Sequence, residues 1–409
     1  MLTQATVVGW LVLLTVFTIL TRRLRFGFSG EDCRAMTVQR SALVSMPAPA
    51  RHHLEWAGLP DPPFFDAVIV PSARGAEGVR RAAETARNAR SCLVVFASER
   101  TVASDVDRVL AELGWTPENA LVLTRSEFAH ADRLRLRTFG GSYAAAAREL
   151  SEKKNAGLLL ARMMGWRSVL FVDDDVQSIG RAQLCDAAAL LAGVDRAGAG
   201  RLLVGWAIND FPDFSSVEYA RSYGTGEWRH FVSGGAMALR CAQDLPFFPP
   251  VYNEDMVLAL DVLHGDPEAA CVAGTLTQDQ YDPFGDLHRV AGQEFGEVLV
   301  EGLVRARGSA DAVRPEFWRT VLLDRVTLLR ELSAKLNALG VHDGERVVEV
   351  ALGTHRDRWP AVLATFAADW TRDLETLREF QRDLPAVKQL EAAAAVLCSA
   401  TRALPGDRN

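Results

Sequence analysis

The ten residues RSVLFVDDDV, from Arg167 to Val176, decide the fold that we predict for this chain. The apolar run up to Val172 is typical of a buried strand, and the carboxylates of Asp173, Asp174 and Asp175 follow at its C-terminal end. Three adjacent like charges repel one another and lose hydration when buried, so packing alone gives no reason for them. Open α/β sheets bind ligands beyond the carboxyl ends of their strands. The stretch therefore predicts a site for a divalent cation and a diphosphate.

The composition is that of an ordinary globular protein. The 409 residues are 49% hydrophobic and 24% charged, enough for a large α/β domain with additional elements. A net charge of −7 argues against a nucleic-acid partner. The cysteines are scattered without a CxxC pair or metal-ligand spacing, which is typical of reduced thiols in a cytosolic protein: Cys33, Cys92, Cys185, Cys241, Cys271 and Cys398.

The N-terminus carries an uncharged, strongly apolar segment. The run from Ala5 to Leu20 is followed at once by Arg22, Arg23 and Arg25. The positive charges lie after the run and no small-residue cleavage site follows, which argues against a signal peptide. Residues 1–26 are either a membrane anchor, spanning with residues 2–20 and leaving the rest on the cytoplasmic side, or a buried or interfacial helix. Residues 27–63 have the glycines and prolines of a linker.

Apolar strands and amphipathic helices alternate from Phe65 onward. Such alternation predicts right-handed βαβ units and an α/β fold with a mostly parallel sheet flanked by helices. The sheet domain is predicted over residues 64–305, and a helical C-terminal region over residues 306–409, where Val321, Leu322, Val326, Leu329 and Leu332 form one apolar stripe. The predicted strands are Phe65–Val70, Ser91–Ala97, Ala120–Thr124 and Arg201–Ala207, and the predicted helices are Glu77–Ala89, Val102–Leu113, Tyr143–Met164, Pro315–Leu339, Gly344–Leu352, Arg358–Arg382 and Ala386–Ala403.

Three further motifs accompany the acidic strand. Lys153 and Lys154 precede it on a helix, where they could face a diphosphate or simply be solvated. The segment Phe231–Ala238 contains Gly234 and Gly235 and is expected to form a small-residue turn that lets a ligand approach the backbone, or a purely structural turn. An acidic pair, Glu254–Asp255, opens a predicted helix, which the helix dipole alone could explain. The order of all these motifs favours a catalytic role.

Taken in order, the motifs resemble those of inverting glycosyltransferases with the GT-A (Rossmann-like) fold, in particular the family 2 type. The resemblance covers about Phe65 to Gly296. It implies that Asp173 and Asp175 hold Mn²⁺ or Mg²⁺ and that Asp255, beside Glu254, is the catalytic base. It also implies that the donor is contacted by Pro71, Ser72, Arg74, Lys154, Asn155 and Asp174, and that the acceptor pocket includes Ser233, Gly234, Gly235 and Trp228.

The chain departs from the family pattern at two positions. Glu99 stands near the end of the second strand, where the family often has an aspartate that holds the nucleotide base, so the nucleotide stays open. The late histidine ligand of the metal has no clear counterpart. His288 is the first candidate and His264 the second, although a lone histidine is also common as a structural hydrogen-bonding group.

The sequence therefore predicts transfer of a sugar from a nucleoside-diphosphate donor to a hydroxyl of a small-molecule or lipid-linked acceptor, with inversion and with possible membrane association. A sugar-nucleotide nucleotidyltransferase is an alternative, but the segment Ser72–Gly75 is a poor version of its phosphate loop. A phosphatase of the HAD type would have Thr or Val two residues after its second aspartate, where this sequence has Gln177. A receiver domain would have a phosphoacceptor aspartate on a later strand and a lysine beyond it, and neither is evident. A non-catalytic, membrane-tethered binding module is the remaining alternative, although Asp175 and Asp255 are both present.

Overall fold

The computed structural model describes residues 64–131, 134–141, 143, 147–193, 201–208, 215–225, 233–241, 247–266, 269–306 and 310–400. The predicted N-terminal anchor, the linker and Trp228 lie outside these residues. No helix within the described ranges is both long enough and apolar enough to cross a membrane. The described residues belong to one compact unit.

A mostly parallel sheet organises the structure, as predicted. Its strands lie in the order β3-β2-β1-β4-β6-β5-β7. Strand β6 is antiparallel to β4 and β5, and the other neighbouring strands are parallel. The strands are β1 Ala67–Ser72, β2 Cys92–Ala97, β3 Ala120–Thr124, β4 Ser168–Val172, β5 Leu203–Ile208, β6 Ser233–Arg240 and β7 Ala270–Leu276.

Helices cover both faces of the sheet, so the central strands β1 and β4 are apolar except at their ends, Ser72 and Ser168. In β1, Ile69 points into one hydrophobic core and Val68 into the other. In β4, Phe171 and Leu170 divide in the same way. The helices up to β7 are α1 Ala76–Ala89, α2 Ala103–Glu112, α3 Arg125–Phe128, α4 Arg148–Met164, α5 Arg181–Ala192, α6 Ser216–Thr225 and α7 Glu254–Gly265, with a 3-10 turn at Thr138–Gly140.

The prediction of a turn at the double glycine is wrong. Residues Ser233–Arg240 form β6, and Gly234 and Gly235 lie at its beginning. Small residues suit this strand because its neighbours approach closely: a Cβ on Gly235 would meet Val176 Cγ2 at 3.2 Å. Because β6 runs antiparallel to β4, its first residues lie at the edge where β4 ends, and Asp173 N–H donates to the Gly235 carbonyl (2.8 Å).

The C-terminal helices share their core with the sheet domain. They are α8 Leu287–Ala306, α9 Pro315–Leu339, α10 His342–Thr354, α11 Trp359–Asp383 and α12 Leu390–Ala400, with a 3-10 turn at Ala310–Val313. Four residues of the predicted α9 stripe are buried and Val326 is half-buried. The buried carboxylate of Asp373, on α11, accepts hydrogen bonds from the N–H groups of Arg137 and Thr138 (both 2.9 Å) and from the Thr138 hydroxyl (2.6 Å).

Candidate active site

The middle aspartate of the acidic triplet holds the loop that follows β1. Asp174 is 1% exposed, and its carboxylate accepts the N–H groups of Ala73 and Arg74 (both 2.8 Å) and the hydroxyl of Ser72 (3.0 Å). Burial raises the pKa of Asp174. The hydrogen bonds and the charge of Arg74 lower it by more, so the net pKa lies below its usual value. Asp174 therefore stays ionised and shapes the loop that carries Arg74.

Arg74 connects the loop to the third aspartate. Its guanidinium pairs with Asp174 Oδ1 (2.5 Å) and Asp175 Oδ2 (3.0 Å), although its side chain is 55% exposed. The side-chain amide of Gln278 also donates to Asp175 Oδ2 (3.0 Å). Burial lowers the pKa of Arg74, but the charges of Asp175 and Asp174 raise it more, so it keeps its charge at every physiological pH. A half-exposed permanent cation at this edge suits a phosphate group.

The first aspartate has an unsatisfied oxygen. Asp173 Oδ1 is buried, accepts no hydrogen bond from the described residues, and lies 3.9 Å from the ammonium of Lys154. Burial raises the pKa of Asp173; the charge of Lys154 lowers it, while Asp175 and Glu254 raise it again, to about 8. A divalent cation would satisfy this oxygen and displace its proton.

Lys154 joins the acidic triplet to the acidic pair of α7. Its ammonium is buried and donates to Glu254 Oε1 (2.8 Å) and to the carbonyl of Gly234 (3.4 Å), close to Asp173. Burial lowers the pKa of Lys154, but the charges of Asp173, Glu254 and Asp255 raise it above its ordinary value. The alternative that Lys154 is solvated is therefore wrong, and its side chain is a buried positive charge between Asp173 and Glu254.

The carboxylate of Asp255 lies against the beginning of β6. A Cβ on Gly234 would lie 2.6 Å from Asp255 Oδ2, which means that only glycine allows this approach. Glu254 and Asp255 occupy the first turn of α7, are 6% and 8% exposed, and so lie where the helix dipole stabilises negative charge. The structure therefore brings Asp173, Lys154, Glu254, Gly234 and Asp255 together at one edge of the sheet, as the predicted motif order requires.

Other predicted site residues have mainly structural contacts. Pro71 and Ser72 are buried at the end of β1. The amide of Asn155 is fully buried, donates to the carbonyl of Phe248 (2.9 Å) and accepts the N–H of Phe248 (2.7 Å), so it holds the backbone at Phe248. Buried Ser233 accepts the N–H of Gly235 (3.1 Å).

The carboxylates fit a divalent metal ion without a histidine ligand. Within the described ranges, no group of three or more His, Cys, Asp or Glu side chains is arranged to hold a metal. His288 is exposed near the start of α8, so the structure does not assemble the predicted set of Asp173, Asp175 and His288. Mg²⁺ and Mn²⁺ commonly use one or two carboxylates together with substrate phosphates and waters. Asp173 and Asp175 supply two carboxylates, the ligand type that this mode of binding uses.

The ion pair between Arg81 and Asp279, beside the acidic triplet, was not predicted from the sequence. Arg81 binds both carboxylate oxygens of Asp279 (2.9 and 2.6 Å) and the carbonyl of Asp174 (3.1 Å), and the Asp279 N–H donates to the carbonyl of Asp175 (2.8 Å). These contacts tie α1 and the segment after β7 to the acidic triplet. No local pattern announces them, because the partners are separated by almost 200 residues.

No protein-family model matches the chain, and no curated protein matches its sequence. Solved structures that resemble it include glucosyl-3-phosphoglycerate synthase from Mycobacterium tuberculosis with Mn²⁺, UDP and phosphoglyceric acid, at 15% identity over 61% of this chain and 80% of that chain, with a TM-score of 0.38. The same enzyme with Mn²⁺, UDP-glucose and phosphoglyceric acid gives 14% identity, 59% and 78% coverage, and a TM-score of 0.36. Similarities this weak carry no argument about activity.

Proposed function

We propose that this protein is a glycosyltransferase that moves a sugar from a nucleoside-diphosphate donor to an acceptor hydroxyl with inversion. The observation that carries the proposal is the position of Lys154, whose ammonium lies 2.8 Å from Glu254 and 3.9 Å from Asp173. It connects a carboxylate group suited to a metal-bound diphosphate with a second carboxylate group suited to proton transfer. Such a pairing is what displacement of a diphosphate by a hydroxyl requires.

The acidic triplet and its loop would bind the donor. Asp173 and Asp175 would hold Mn²⁺ or Mg²⁺, which when bound neutralises the charge of the departing diphosphate. Arg74, already fixed by Asp174 and half-exposed, would add a permanent positive charge at the phosphates. Asp174 would therefore fix the conformation of the loop that carries Arg74 without needing to contact the donor itself.

The acidic pair of α7 would act on the acceptor. Asp255 would accept the proton of the acceptor hydroxyl as its oxygen attacks the anomeric carbon from the face opposite the diphosphate. The backbone of Gly234 leaves room for the carboxylate. Glu254, bound to Lys154, would maintain the alignment of the first turn of α7. The acceptor would be a small molecule or a lipid-linked hydroxyl compound.

The proposal is tested by donor binding and turnover with the full chain. We would measure binding and nucleotide release with UDP-, GDP- and dTDP-glucose in Mn²⁺, Mg²⁺ or EDTA, for the wild type, Asp175→Asn and Asp255→Asn. Asp175→Asn keeps an acceptor for Gln278 but is expected to abolish metal-dependent binding, whereas Asp255→Asn should bind the donor normally without turnover. Asp107→Asn, exposed on α2, is the matched control. If no sugar nucleotide binds with either metal, the proposal is wrong.

A further inference from the structure

The turn that leads into α7 has an unusual backbone conformation. Asn253, immediately before Glu254, has φ 64° and ψ 34°, in the left-handed region that is uncommon for residues other than glycine and that asparagine adopts more readily than most. Asparagine at this position normally caps the helix with its side chain. The side chain of Asn253 makes no such cap, and its Nδ2 donates instead to Glu297 Oε1 on α8 (3.3 Å). A contact outside the helix thus replaces the usual one.

Helix α8 also lies directly against the backbone of this turn. A Cβ on Gly296 would lie 2.1 Å from the carbonyl oxygen of Tyr252, a distance that no side chain could accept. Gly296 and Glu297 are adjacent, so α8 contacts the turn twice, by close backbone packing at Tyr252 and by a hydrogen bond at Asn253. The position of α8 therefore determines the position of the turn.

Buried charges fix α8 on α9 and on the end of α10. Arg325, on α9, is 1% exposed and binds both oxygens of Glu294 (2.9 and 2.8 Å) and one of Glu301 (2.8 Å). His355, at the end of α10, adds a contact to Glu294 (2.9 Å). The two glutamates flank Glu297 by one turn on either side along the same helix. Because a buried guanidinium cannot lose such partners without a large desolvation cost, α8 is held firmly at the level of Glu297.

We propose that Glu297 is a positioning residue for Asp255. Its hydrogen bond keeps Asn253 left-handed, and that conformation sets the direction in which α7 starts and hence where the Asp255 carboxylate lies against Gly234. The inference rests on the proposed function for the catalytic role of Asp255. It gives the C-terminal helices a part in the chemistry, through Arg325 and α8, without any contact between them and the substrate.

The kinetic test compares three variants of the full chain with a donor that the wild type uses. Glu297→Ala is expected to lower kcat for nucleotide release about ten-fold and to leave the KM of the donor within about two-fold, because misalignment affects the reacting groups rather than donor binding. Glu297→Gln keeps an oxygen that accepts the Asn253 amide and should restore kcat to within about three-fold of the wild type. Glu301→Ala removes one hydrogen bond of Arg325, leaves its two hydrogen bonds to Glu294 and hence the position of α8, and does not touch Asn253, so its kcat should also stay within about three-fold.

A crystal structure of Glu297→Ala tests the geometry without any assay. Asn253 is expected to leave the left-handed region, and the Asp255 carboxylate should move away from Gly234. An unchanged turn overturns the proposal, and so does a loss of kcat in Glu301→Ala equal to that in Glu297→Ala, which would mean that general stability was affected. If the wild type uses no sugar nucleotide, the proposed function fails, and the crystal structure alone then decides whether Glu297 fixes the turn.

Discussion

The carboxylate of Asp255 lies against Gly234, and a methyl group on Gly234 would come within 2.6 Å of Asp255 Oδ2. The contact joins the first turn of α7 to the first residues of β6. Both lie at the edge where β4 ends, because β6 is the reversed strand of the sheet. The proposed base is thus held against β6. Strand β6 pairs with β4, and the acidic triplet follows β4 directly.

Replacing Gly234 with alanine should therefore disable the chemical step. We expect Gly234→Ala to lower kcat about 100-fold by displacing the Asp255 carboxylate, with the metal-dependent affinity for the donor nearly unchanged. Steady-state kinetics and titration with the nucleoside diphosphate and Mn²⁺ measure the two quantities. Gly353→Ala, in α10 with no atom within 4 Å of the added Cβ, is the matched control and should be fully active. Normal turnover by Gly234→Ala would contradict a catalytic role for this contact.

Removing the cation between the two carboxylate groups should destabilise the fold. Lys154→Met leaves Glu254 and Asp173 without their buried partner, and we expect the free energy of unfolding to fall by about 3 kcal/mol at pH 7. Urea denaturation measures this change. Lys335→Met, which removes an exposed lysine from α9, should change it by no more than about 0.5 kcal/mol. Equal stability of the two variants would show that the buried contacts of Lys154 contribute little.

The stability of the protein should depend on pH through Glu297. Burial and the charge of Glu218 raise its pKa, the charge of Arg325 lowers it, and Glu301 and Glu294 raise it again, to about 7, from an ordinary 4.5. Between these two values the folded protein binds more protons than the unfolded chain, so the contribution of Glu297 to stability decreases as pH rises from 4.5 to 7.

The side chain in the variant Glu297→Gln cannot ionise. We expect the free energy of unfolding of the variant to increase relative to that of the wild type between pH 4.5 and 7, by on the order of 2 kcal/mol in total. Above pH 7 the difference should stay constant. Denaturation at a series of pH values measures the difference. Parallel pH curves for the two proteins would mean that the pKa of Glu297 is the same in the folded and unfolded states.

A buried carboxylate should anchor the C-terminal helices to the sheet domain. Asp373→Ala leaves the N–H groups of Arg137 and Thr138 without their acceptor, and we expect a loss of about 2 kcal/mol in the free energy of unfolding. Thermal or urea unfolding checks the value. Asp383→Ala, at the exposed end of the same helix, should be close to neutral. A neutral Asp373→Ala would indicate that water or another group replaces the lost acceptor.

Continuous apolar runs made much of the fold predictable. The strand Ala120–Thr124 and the helix Pro315–Leu339 have the predicted bounds, and β4 is one residue shorter at its start than the stretch quoted from Arg167. The double glycine at Gly234 was mistaken for a turn because small residues break the apolar alternation of a strand. Its true conformation depends on pairing with β4 and β5, which are far away in sequence.

The site was predictable in its residue types but not in its contacts. The sequence left Lys154 either facing a diphosphate or solvated, whereas the structure buries it against Glu254, Gly234 and Asp173, partners distant in sequence that no local pattern encodes. Arg325 could have been noticed earlier. It lies among Leu322, Leu329 and Leu332 at positions that repeat every three or four residues on the buried face of α9, and a charge on such a stripe indicates a buried partner.

The packing of α12 has a consequence for how the protein is made. This last described helix packs on α4, the helix that carries Lys154, and the Val387 N–H just before it donates to the carbonyl of Met163 (2.9 Å). On the ribosome, the strands of the sheet emerge long before residue 390, and the underside of α4 stays uncovered until then. The apolar packing around α4 is thus completed only after residues 390–400 have been synthesised, and until then a nascent chain holds an exposed apolar surface that chaperones can recognise.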